Sequence, residues 1–291
     1  MNVSGRVALV TGAGSGIGRA IALALARRGC RLALVDIDGV GLAETAAQVE
    51  ALGAGASRHV IDVADRAAVA ALPAALLALH GRVDLLVNNA GVALGGTFEQ
   101  VSDEDFDWLM AINFGAVVAM TRAFLPLLRA SDDARIVNVS SIYGLVSPPG
   151  QSAYSASKFA VRGFSNALRH ELEGTRVGVT VVHPGGVATS IARSARVPAG
   201  FPAAEIAERR AAAEKMLRMP PERAGGMRSL RSTAARRRST SAASMPAGAR
   251  ALRAIAVATP PGWTTVTPTR VLSSSWRSAF EKPRTANLLA E

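Results

Sequence analysis

Residues 7–18 read VALVTGAGSGIG, a β-branched apolar run that passes directly into a glycine-rich segment. A helical pattern with apolar Ile21 and Leu25 follows. Glycines at such a junction permit a tight turn and let backbone N–H groups approach a pyrophosphate, whose charge the helix N-terminus favours. A turn of small residues also explains many isolated glycine trios, but the position between a strand and a helix favours a dinucleotide-binding loop. The candidate binding residues of this loop are Gly12, Ser15, Gly16, Ile17 and Gly18.

The alternation of short β-branched runs with longer Ala/Leu-rich stretches continues from this loop to about residue 220. Strands are predicted at Val7–Thr11, Arg31–Asp36, Ala56–Asp62, Leu85–Asn88, Arg135–Ser140 and Thr180–His183. Helices are predicted over residues 17–29, 39–53, 66–80, 103–130, 152–173 and 203–218. This series predicts an α/β fold, a doubly wound parallel sheet between two helical layers, with ligands bound beyond the carboxyl ends of the strands.

Carboxylates end the second and third predicted strands. Asp36 lies eighteen residues past Gly18, where a carboxylate can accept hydrogen bonds from both hydroxyls of an adenosine ribose and would repel the extra phosphate of NADP. Neither Ser15 nor Ile37 is cationic, so NAD is expected rather than NADP. The alternative for Asp36 is a helix N-cap, a role that suits Asp38 better.

Asp62 and Val63 close the third predicted strand and are candidate contacts for the adenine of the same dinucleotide. A carboxylate at this position can accept a hydrogen bond from the adenine amino group. Asp62 could equally cap the helix that begins near Arg66.

Only two tyrosines occur, and the residues around them differ. Tyr154 has Lys158 four positions later, on the same face of a helix, whereas Tyr143 has Ser147 at that spacing. A phenol serves as a proton donor or acceptor at neutral pH when a nearby cation stabilises its phenolate. Tyr154 is therefore the candidate acid/base for oxidising an alcohol or reducing a carbonyl.

Serines end the fifth predicted strand, in the run Ile136-Val-Asn-Val-Ser-Ser141. A hydroxyl at this point can hydrogen-bond a substrate oxygen and offset its developing charge. Adjacent serines at a strand end are often only turn formers, so the residues alone leave Ser140 and Ser141 open.

Taken together, six motifs resemble the classical short-chain dehydrogenase/reductase family over about residues 5–224. They are Thr11-Gly-x-x-x-Gly-x-Gly18, Asn88-Asn89-Ala90-Gly91, Asn113, Ser141, Tyr154-x-x-x-Lys158 and Pro184-Gly185. The resemblance implies a Rossmann fold with seven parallel strands in the order 3-2-1-4-5-6-7 and a nicotinamide cofactor. It also implies a catalytic tetrad of Asn113, Ser141, Tyr154 and Lys158.

The resemblance also assigns roles within this tetrad. Tyr154 exchanges the proton and Ser141 positions the substrate oxygen. Lys158 contacts the nicotinamide ribose and lowers the tyrosine pKa, while Asn113 holds a water that links Lys158 to solvent. From the residues alone, Asn113 would be read as a polar residue on a helix face.

Further cofactor contacts follow from the resemblance at two strand ends. The backbone of Asn89, Ala90 and Gly91 would pass close to the cofactor, although Asn88 or Asn89 could simply tie adjacent strands together. Other implied contacts with the cofactor are made by Pro184, Gly185, Val187 and Thr189. His183 is a less favoured general base, because Tyr154 already fills that role.

The substrate is expected to be a small alcohol or carbonyl compound, an apolar or weakly polar secondary alcohol or ketone. Few charges occur among the residues expected near hydride transfer. These are Ala93, Leu94, Ile142, Tyr143, Leu145, Gly185, Gly186 and a lid over Ser190–Met219. Arg193 and Arg196 in the lid weaken this inference unless they are solvated. Helices 103–130 and 152–173 are the family's usual dimer surface, so a homodimer or homotetramer is expected.

Charge is distributed unevenly along the 291 residues. The chain has a net charge of +11, but residues 1–224 hold 22 basic and 20 acidic residues whereas residues 225–291 hold 11 and 2. The nearly neutral body argues against a specific nucleic-acid partner. A single cysteine excludes a disulfide scaffold and a multi-cysteine zinc site, and no metal is expected. We also expect no membrane span and a cytoplasmic location.

Two domains are predicted, a dehydrogenase domain over residues 1–224 and a basic tail over residues 225–291. The tail is rich in Arg, Ser, Thr and Pro, predicts irregular structure, and makes a seventh strand doubtful. Its composition is typical of GC-rich coding DNA read out of frame, which suggests a frameshift near codon 225. Two alternatives to an active enzyme follow, namely an inactive cofactor-binding remnant and a regulatory protein that binds through its tail.

Overall fold

The protein is described from a computed structural model, and the structure describes residues 1–225 except residues 199 and 201. Six parallel strands occur in this part of the chain: β1 (Val7–Thr11), β2 (Arg31–Asp36), β3 (Ala56–Val60), β4 (Leu85–Asn88), β5 (Ala134–Val139) and β6 (Val177–Val182). They form one sheet in the order β3-β2-β1-β4-β5-β6. The predicted doubly wound parallel sheet is confirmed. The tail beyond residue 225, its predicted irregular structure and the doubtful seventh strand lie outside the described residues.

Eight α-helices accompany this sheet within the described residues. They are α1 (Gly16–Ala26), α2 (Gly39–Ala51), α3 (Arg66–His80), α4 (Asp103–Met110), α5 (Ala116–Ala130), α6 (Ser152–Glu171), α7 (Ala203–Met216) and α8 (Pro221–Gly225). A π-helical turn, Ala111–Gly115, separates α4 from α5, so the prediction of one uninterrupted α-helix over residues 103–130 is wrong at its centre. Such a turn does not change the apolar pattern enough to be visible in the sequence.

Both faces of the sheet are covered by apolar layers. In β1, Leu9 belongs to the layer shared with α3, α5 and α6, whereas Ala8 and Val10 belong to the layer shared with α1 and α2. All five residues of β1 are buried, as expected for a central parallel strand covered on both sides. This double burial explains why the strand reads as a continuous apolar run rather than an alternating one.

The predicted bounds of three strands were inaccurate. The sixth strand begins at Val177 rather than Thr180, because Val177 pairs with Ala134 at the start of β5. Gly178 obscured this start in the sequence, although a glycine suits the site because a Cβ there would overlap the Arg135 guanidinium. The third strand ends at Val60 rather than Asp62, and the fifth covers Ala134–Val139 rather than residues 135–140.

A cluster of charged residues joins the amino ends of the central strands, and we call Arg6, Arg82, Asp84, Ser131 and Asp132 the amino-end cluster. The fully buried Asp84 carboxylate accepts hydrogen bonds from the Val7 N–H at 3.0 Å and the Ser131 hydroxyl at 2.7 Å. It also forms ion pairs with Arg6 and Arg82, and both arginines contact Asp132. This cluster lies at the opposite end of the sheet from the predicted ligand site.

The helical stretch Asp103–Ala130 is long and apolar enough to cross a membrane, with a mean hydropathy of 1.6. Its residues Met120, Phe124 and Leu128 are packed into the core beside the sheet. Core helices pass the same test of length and composition, so this helix does not indicate a membrane protein.

Candidate active site

The glycine-rich loop forms a tight turn that leads from β1 into α1. Gly12 and Gly16 have φ values of +64° and +52°, a region that favours glycine. A Cβ at Gly18 would overlap the Gly12 carbonyl, so a larger residue would push α1 away from the turn. Side chains of Asp38, Asp65 and Ser102 cap α2, α3 and α4, but no side chain caps α1 at Ser15. The uncapped first turn of α1 fits a bound pyrophosphate.

The Asp36 carboxylate is held at the end of β2 by backbone groups. It accepts hydrogen bonds from the Gly14 N–H at 2.8 Å and the Asp38 N–H at 3.0 Å. Asp38 caps α2 by accepting from Val40 and Gly41, so the alternative reading of Asp36 as the cap is wrong. The carboxylate thus lies directly beside the glycine-rich loop, as a ribose contact requires.

Arg19 organises the same loop and was missed in the sequence, where it follows the glycine motif as an ordinary helical arginine. Its guanidinium donates to the Gly14 carbonyl, to the Thr45 hydroxyl at 2.9 Å and to Glu44 at 2.8 Å. Arg19 and Asp36 therefore hold the two sides of Gly14. No sequence signal distinguishes this role, because its partners lie on α2.

Asp62 lies beyond the end of β3 and is exposed, whereas Val63 is buried. The Asp62 carboxylate accepts only a local hydrogen bond, from the Ala64 N–H at 2.8 Å. Asp65 caps α3, so the alternative in which Asp62 caps that helix is wrong. Asp62 follows Val60, the β3 residue that pairs with Asp36 on β2.

Two asparagines at the end of β4 connect strands, as the alternative reading of Asn88 and Asn89 predicted. The Asn88 amide donates to Asn138 on β5 at 2.8 Å, and the Asn89 amide donates to the Thr11 carbonyl on β1 at 2.9 Å. The Thr11 hydroxyl accepts from the backbone N–H groups of Asn89 and Ala90. These bonds hold the chain from residue 89 to residue 91 against the glycine-rich loop.

Ser141 and Tyr154 meet beyond the end of β5. The ring of Tyr143 contacts that of Tyr154 edge-to-face at 6.0 Å between centroids. Burial raises the pKa of Tyr154 above its ordinary value, the Ser141 side chain opposes this, and Tyr143 adds to it. Tyr154 is therefore a neutral phenol at physiological pH, the form that can donate a proton.

Lys158 is almost completely buried one helical turn after Tyr154. Its Nζ lies 5.6 Å from the centroid of the Tyr154 ring and 3.4 Å from the Val139 carbonyl oxygen. Burial lowers the pKa of Lys158 to about 8. In the structure the Lys158 ammonium lies over the Tyr154 ring, and the expectation that Lys158 lowers the Tyr154 pKa stays a prediction.

Asn113 is buried within the π-helical turn, so the reading as a polar helix-face residue is wrong. Its Oδ1 accepts from the Val92 N–H at 2.8 Å, and its Nδ2 donates to the Val92 carbonyl at 3.0 Å and to Ser157 at 3.2 Å. A Cβ on Gly91 would lie 3.0 Å from Asn113 Oδ1 and 3.3 Å from Lys158 Nζ. Asn113, Lys158 and Gly91 therefore converge on one point.

The segment after β6 completes the site. His183 Nδ1 donates to the Ser141 carbonyl at 3.0 Å, which matches the structural role favoured for this histidine. The Pro184 carbonyl accepts from the Ile142 N–H at 2.8 Å. Gly185 lies under Ile142, since a Cβ on this glycine would lie 3.3 Å from the Ile142 Cβ. Thr189 lies against Gly16 of the glycine-rich loop, with its methyl group 3.0 Å from where a Cβ would project.

Val187 anchors the base of the predicted lid. It pairs with Met219 through two backbone hydrogen bonds of 2.8 Å, from Ala188 to Met219 and from Met219 to Gly186. The helix α8 follows directly and packs on α1, where a Cβ at Gly225 would lie 2.8 Å from the Ala20 backbone. The chain up to residue 225 thus supports the side of the site opposite Asp36. No metal-ligand cluster occurs among the residues that the structure describes.

The chain is similar to several known proteins. Residues 6–199 match the short chain dehydrogenase family. The chain is 50% identical over 198 residues to a Mycobacterium tuberculosis protein named for oxidoreductase activity, SadH, covering 67% of this chain and 72% of SadH. A short chain dehydrogenase/reductase from Burkholderia phymatum, solved with NAD, matches at 33% identity and a TM-score of 0.75, covering 81% of this chain and 88% of its own. A metagenomic short-chain oxidoreductase, solved with NADP, matches at 38% identity and a TM-score of 0.61, over 64% and 84% of the two chains.

Proposed function

The chain belongs to the short-chain dehydrogenase/reductase family of oxidoreductases, and we propose that it transfers a hydride between NAD(H) and a secondary alcohol or the corresponding ketone. The observation that carries the proposal is the convergence of Ser141, Tyr154, Lys158 and Asn113 beyond β5, beside a glycine-rich loop that fits a pyrophosphate. When bound, the nicotinamide supplies the hydride donor or acceptor. Proton transfer and stabilisation of the developing charge are carried out by side chains of this site.

Tyr154 acts as the acid in the reductive direction. Its raised pKa keeps the hydroxyl protonated, so it can donate a proton to a carbonyl oxygen that also accepts a hydrogen bond from Ser141. The buried Lys158 ammonium stabilises the negative charge that develops on the tyrosine oxygen. His183 holds the Ser141 backbone and Asn113 holds the loop at Val92, so both act as positioning residues.

The two tyrosines provide a matched test of this assignment. Tyr154→Phe should lower kcat by about 10⁴-fold, with the NADH dissociation constant within about twofold of wild type, since the ring remains. Tyr143→Phe keeps the edge-to-face ring contact and should retain kcat within about fivefold. Steady-state kinetics and NADH fluorescence measure both. A fully active Tyr154→Phe variant would refute the mechanism.

Asp36 supports a preference for NAD. Its carboxylate lies beside the glycine-rich loop, where a 2′-phosphate would face a negative charge. We expect NADH to bind at least about tenfold more tightly than NADPH, a difference that Asp36→Asn reduces by removing that charge. Asp107→Asn, on the exposed side of α4, serves as the control. Tighter binding of NADPH to the wild type would contradict the preference.

The substrate is proposed to be apolar. Ile142, Leu145 and Val146 follow the catalytic serine and remain 40–52% exposed at the site entrance. A panel of secondary alcohols and ketones should show higher kcat/KM for neutral apolar members than for carboxylates or sugar phosphates. Faster turnover of the anionic members would refute this class.

The proposed cytoplasmic location and homo-oligomeric assembly rest on the family resemblance and on helices α5 and α6. Light scattering of the purified protein tests the assembly, and a monomer would contradict it. The proposed domain division at residue 224 and the frameshift near codon 225 are tested by resequencing the gene. An alternative reading frame without a helix followed by a strand would refute the frameshift.

A further inference from the structure

The lid segment pairs with the loop after β4 through a single residue. Arg196 donates its backbone N–H to the Ala93 carbonyl at 3.0 Å, and its carbonyl accepts from the Gly95 N–H at 3.3 Å. Gly96 permits the approach, since a Cβ there would lie only 2.8 Å from the Pro198 side chain. The lid is therefore in contact with the loop that carries the residues next to hydride transfer.

The Arg196 side chain reaches across to α4 and is held there by two groups. Its guanidinium carbon lies 3.7 Å from the centroid of the Trp108 ring, a stacked cation–π geometry. Its Nη1 donates to Asp105 at 2.9 Å. Asp105 and Trp108 are three residues apart and share one face of α4. We call Arg196, Trp108 and Asp105 the lid latch.

The lid latch connects to Asn113 along two routes. On one side, α4 continues directly into the π-helical turn that contains Asn113. On the other side, Arg196 holds Ala93, and Asn113 holds both backbone groups of the adjacent Val92. These contacts form a closed ring of contacts that runs from the lid through the loop to Asn113 and returns along α4.

From this ring of contacts we propose that Arg196 is a positioning residue that couples the lid segment to the loop held by Asn113. Its guanidinium is engaged by Asp105 and Trp108, so it does not serve as the binding group for an anionic substrate. The lid latch therefore favours a neutral substrate, and this conclusion rests on the proposed function. The coupling between the lid and the loop does not depend on the proposed function.

Hydrogen exchange of the full-length protein measures the coupling without any substrate. Arg196→Ala should accelerate amide exchange at least about fivefold in peptides that cover residues 92–96 as well as in those that cover residues 190–198. Trp108→Ala should accelerate exchange in the same two sets of peptides. The double variant should exchange little faster than either single variant. Arg196→Lys keeps the charge but loses the planar stacking, so its exchange should fall between those of wild type and Arg196→Ala. Arg58→Ala, an exposed arginine on β3, is the control.

Exchange that rises only in the lid, or additive effects in the double variant, would overturn the coupling. Kinetics then test the consequence for the substrate. Arg196→Ala should raise the KM of a neutral ketone about tenfold, with kcat within threefold and NADH binding within twofold. A loss confined to carboxylate substrates would instead make Arg196 a direct substrate contact. Failure of the proposed function would be seen separately, as an active Tyr154→Phe variant.

Discussion

The two ends of the sheet bury charge in opposite ways. In the amino-end cluster, Asp84 is fully buried and receives hydrogen bonds from Arg82, Ser131 and the Val7 backbone. At the carboxyl end, Lys158 is buried with its ammonium 3.4 Å from the Val139 carbonyl. Within residues 1–225, apart from the two gaps, no carboxylate forms an ion pair with Lys158.

The pKa values of Asp84 and Lys158 are both lowered, but the lowering has opposite effects on the two charged forms. Burial alone would raise the pKa of Asp84, and the hydrogen bonds from Arg82, Ser131 and Val7 outweigh it, so the charged form is stabilised. Burial lowers the pKa of Lys158 to about 8, so its charged form is destabilised. The amino end thus uses buried charge to hold strands together. The carboxyl end buries a charge that no carboxylate pairs with among the described residues, and under the proposed function this charge would stabilise the negative charge that develops during the reaction.

Replacing Lys158 should cause the largest effect and separate function from stability. Lys158→Met keeps the length of the side chain and removes the charge, so kcat should fall by about 10³-fold. The free energy of unfolding at pH 7 should rise by about 1 kcal/mol, because an uncompensated buried charge is lost. Steady-state kinetics and urea unfolding measure the two effects. A variant that is both inactive and less stable would show that Lys158 also supports the fold.

Replacing Asp84 should give the reverse result. Asp84→Asn leaves Arg6 and Arg82 without their buried carboxylate, and the free energy of unfolding should fall by roughly 3 kcal/mol. The kcat of the folded protein should stay within about twofold of wild type, since the cluster lies at the other end of the sheet. Asp132→Asn, at an exposed position of the same cluster, should lower the free energy of unfolding by less. A large loss of kcat in folded Asp84→Asn would show that the two ends are coupled.

The pH dependence of stability gives the smallest effect. The folded-state pKa of Lys158 is about 8 and its ordinary value is 10.5, so the unfolded chain binds more protons between these values. The Lys158 contribution to the free energy of unfolding should therefore rise by about 2.5 kcal/mol from pH 8 to pH 10.5. The difference between wild type and Lys158→Met in urea unfolding isolates this contribution.

Asp84 has the opposite pH window. Its lowered pKa stabilises the protein above the ordinary value of 3.8, and that stabilisation is lost as the pH falls through the folded-state pKa. The stability difference between wild type and Asp84→Asn should therefore shrink only in acid. A difference that changes between pH 8 and pH 10.5 would indicate another titrating group.

Local patterns in the sequence predicted most of the sheet and many of the site residues. The glycine-rich loop, Asp36 at the end of β2 and the i, i+4 spacing of Tyr154 and Lys158 are all local features. The π-helical turn at Asn113 was missed because one extra residue in a helix hardly disturbs an apolar pattern. The start of β6 was missed because Gly178 interrupts its β-branched run.

Contacts between elements that are far apart in the chain could not be predicted from the sequence. Arg19 binds the Gly14 carbonyl and is held by Thr45 and Glu44 on α2. Arg196, left open between substrate binding and solvent, stacks on Trp108, which is far away along the chain. Each arginine sits in an unremarkable stretch of sequence. Their partners became neighbours only when separate β-α units were packed side by side.

The sequence by itself determined the order of strands and helices, the glycine-rich loop and the choice of Tyr154 and Lys158 as the proposed acid/base pair, because each depends on spacing within one or two elements. Only the tertiary structure decided which buried charges are compensated. Asp84 pairs with Arg82 two residues earlier but acquires Arg6 and Ser131 from the ends of neighbouring strands, whereas the packing of α6 buries Lys158 without a carboxylate among the described residues. The environment of a buried charge is set by elements far apart in the chain, and it is this environment that shifts its pKa.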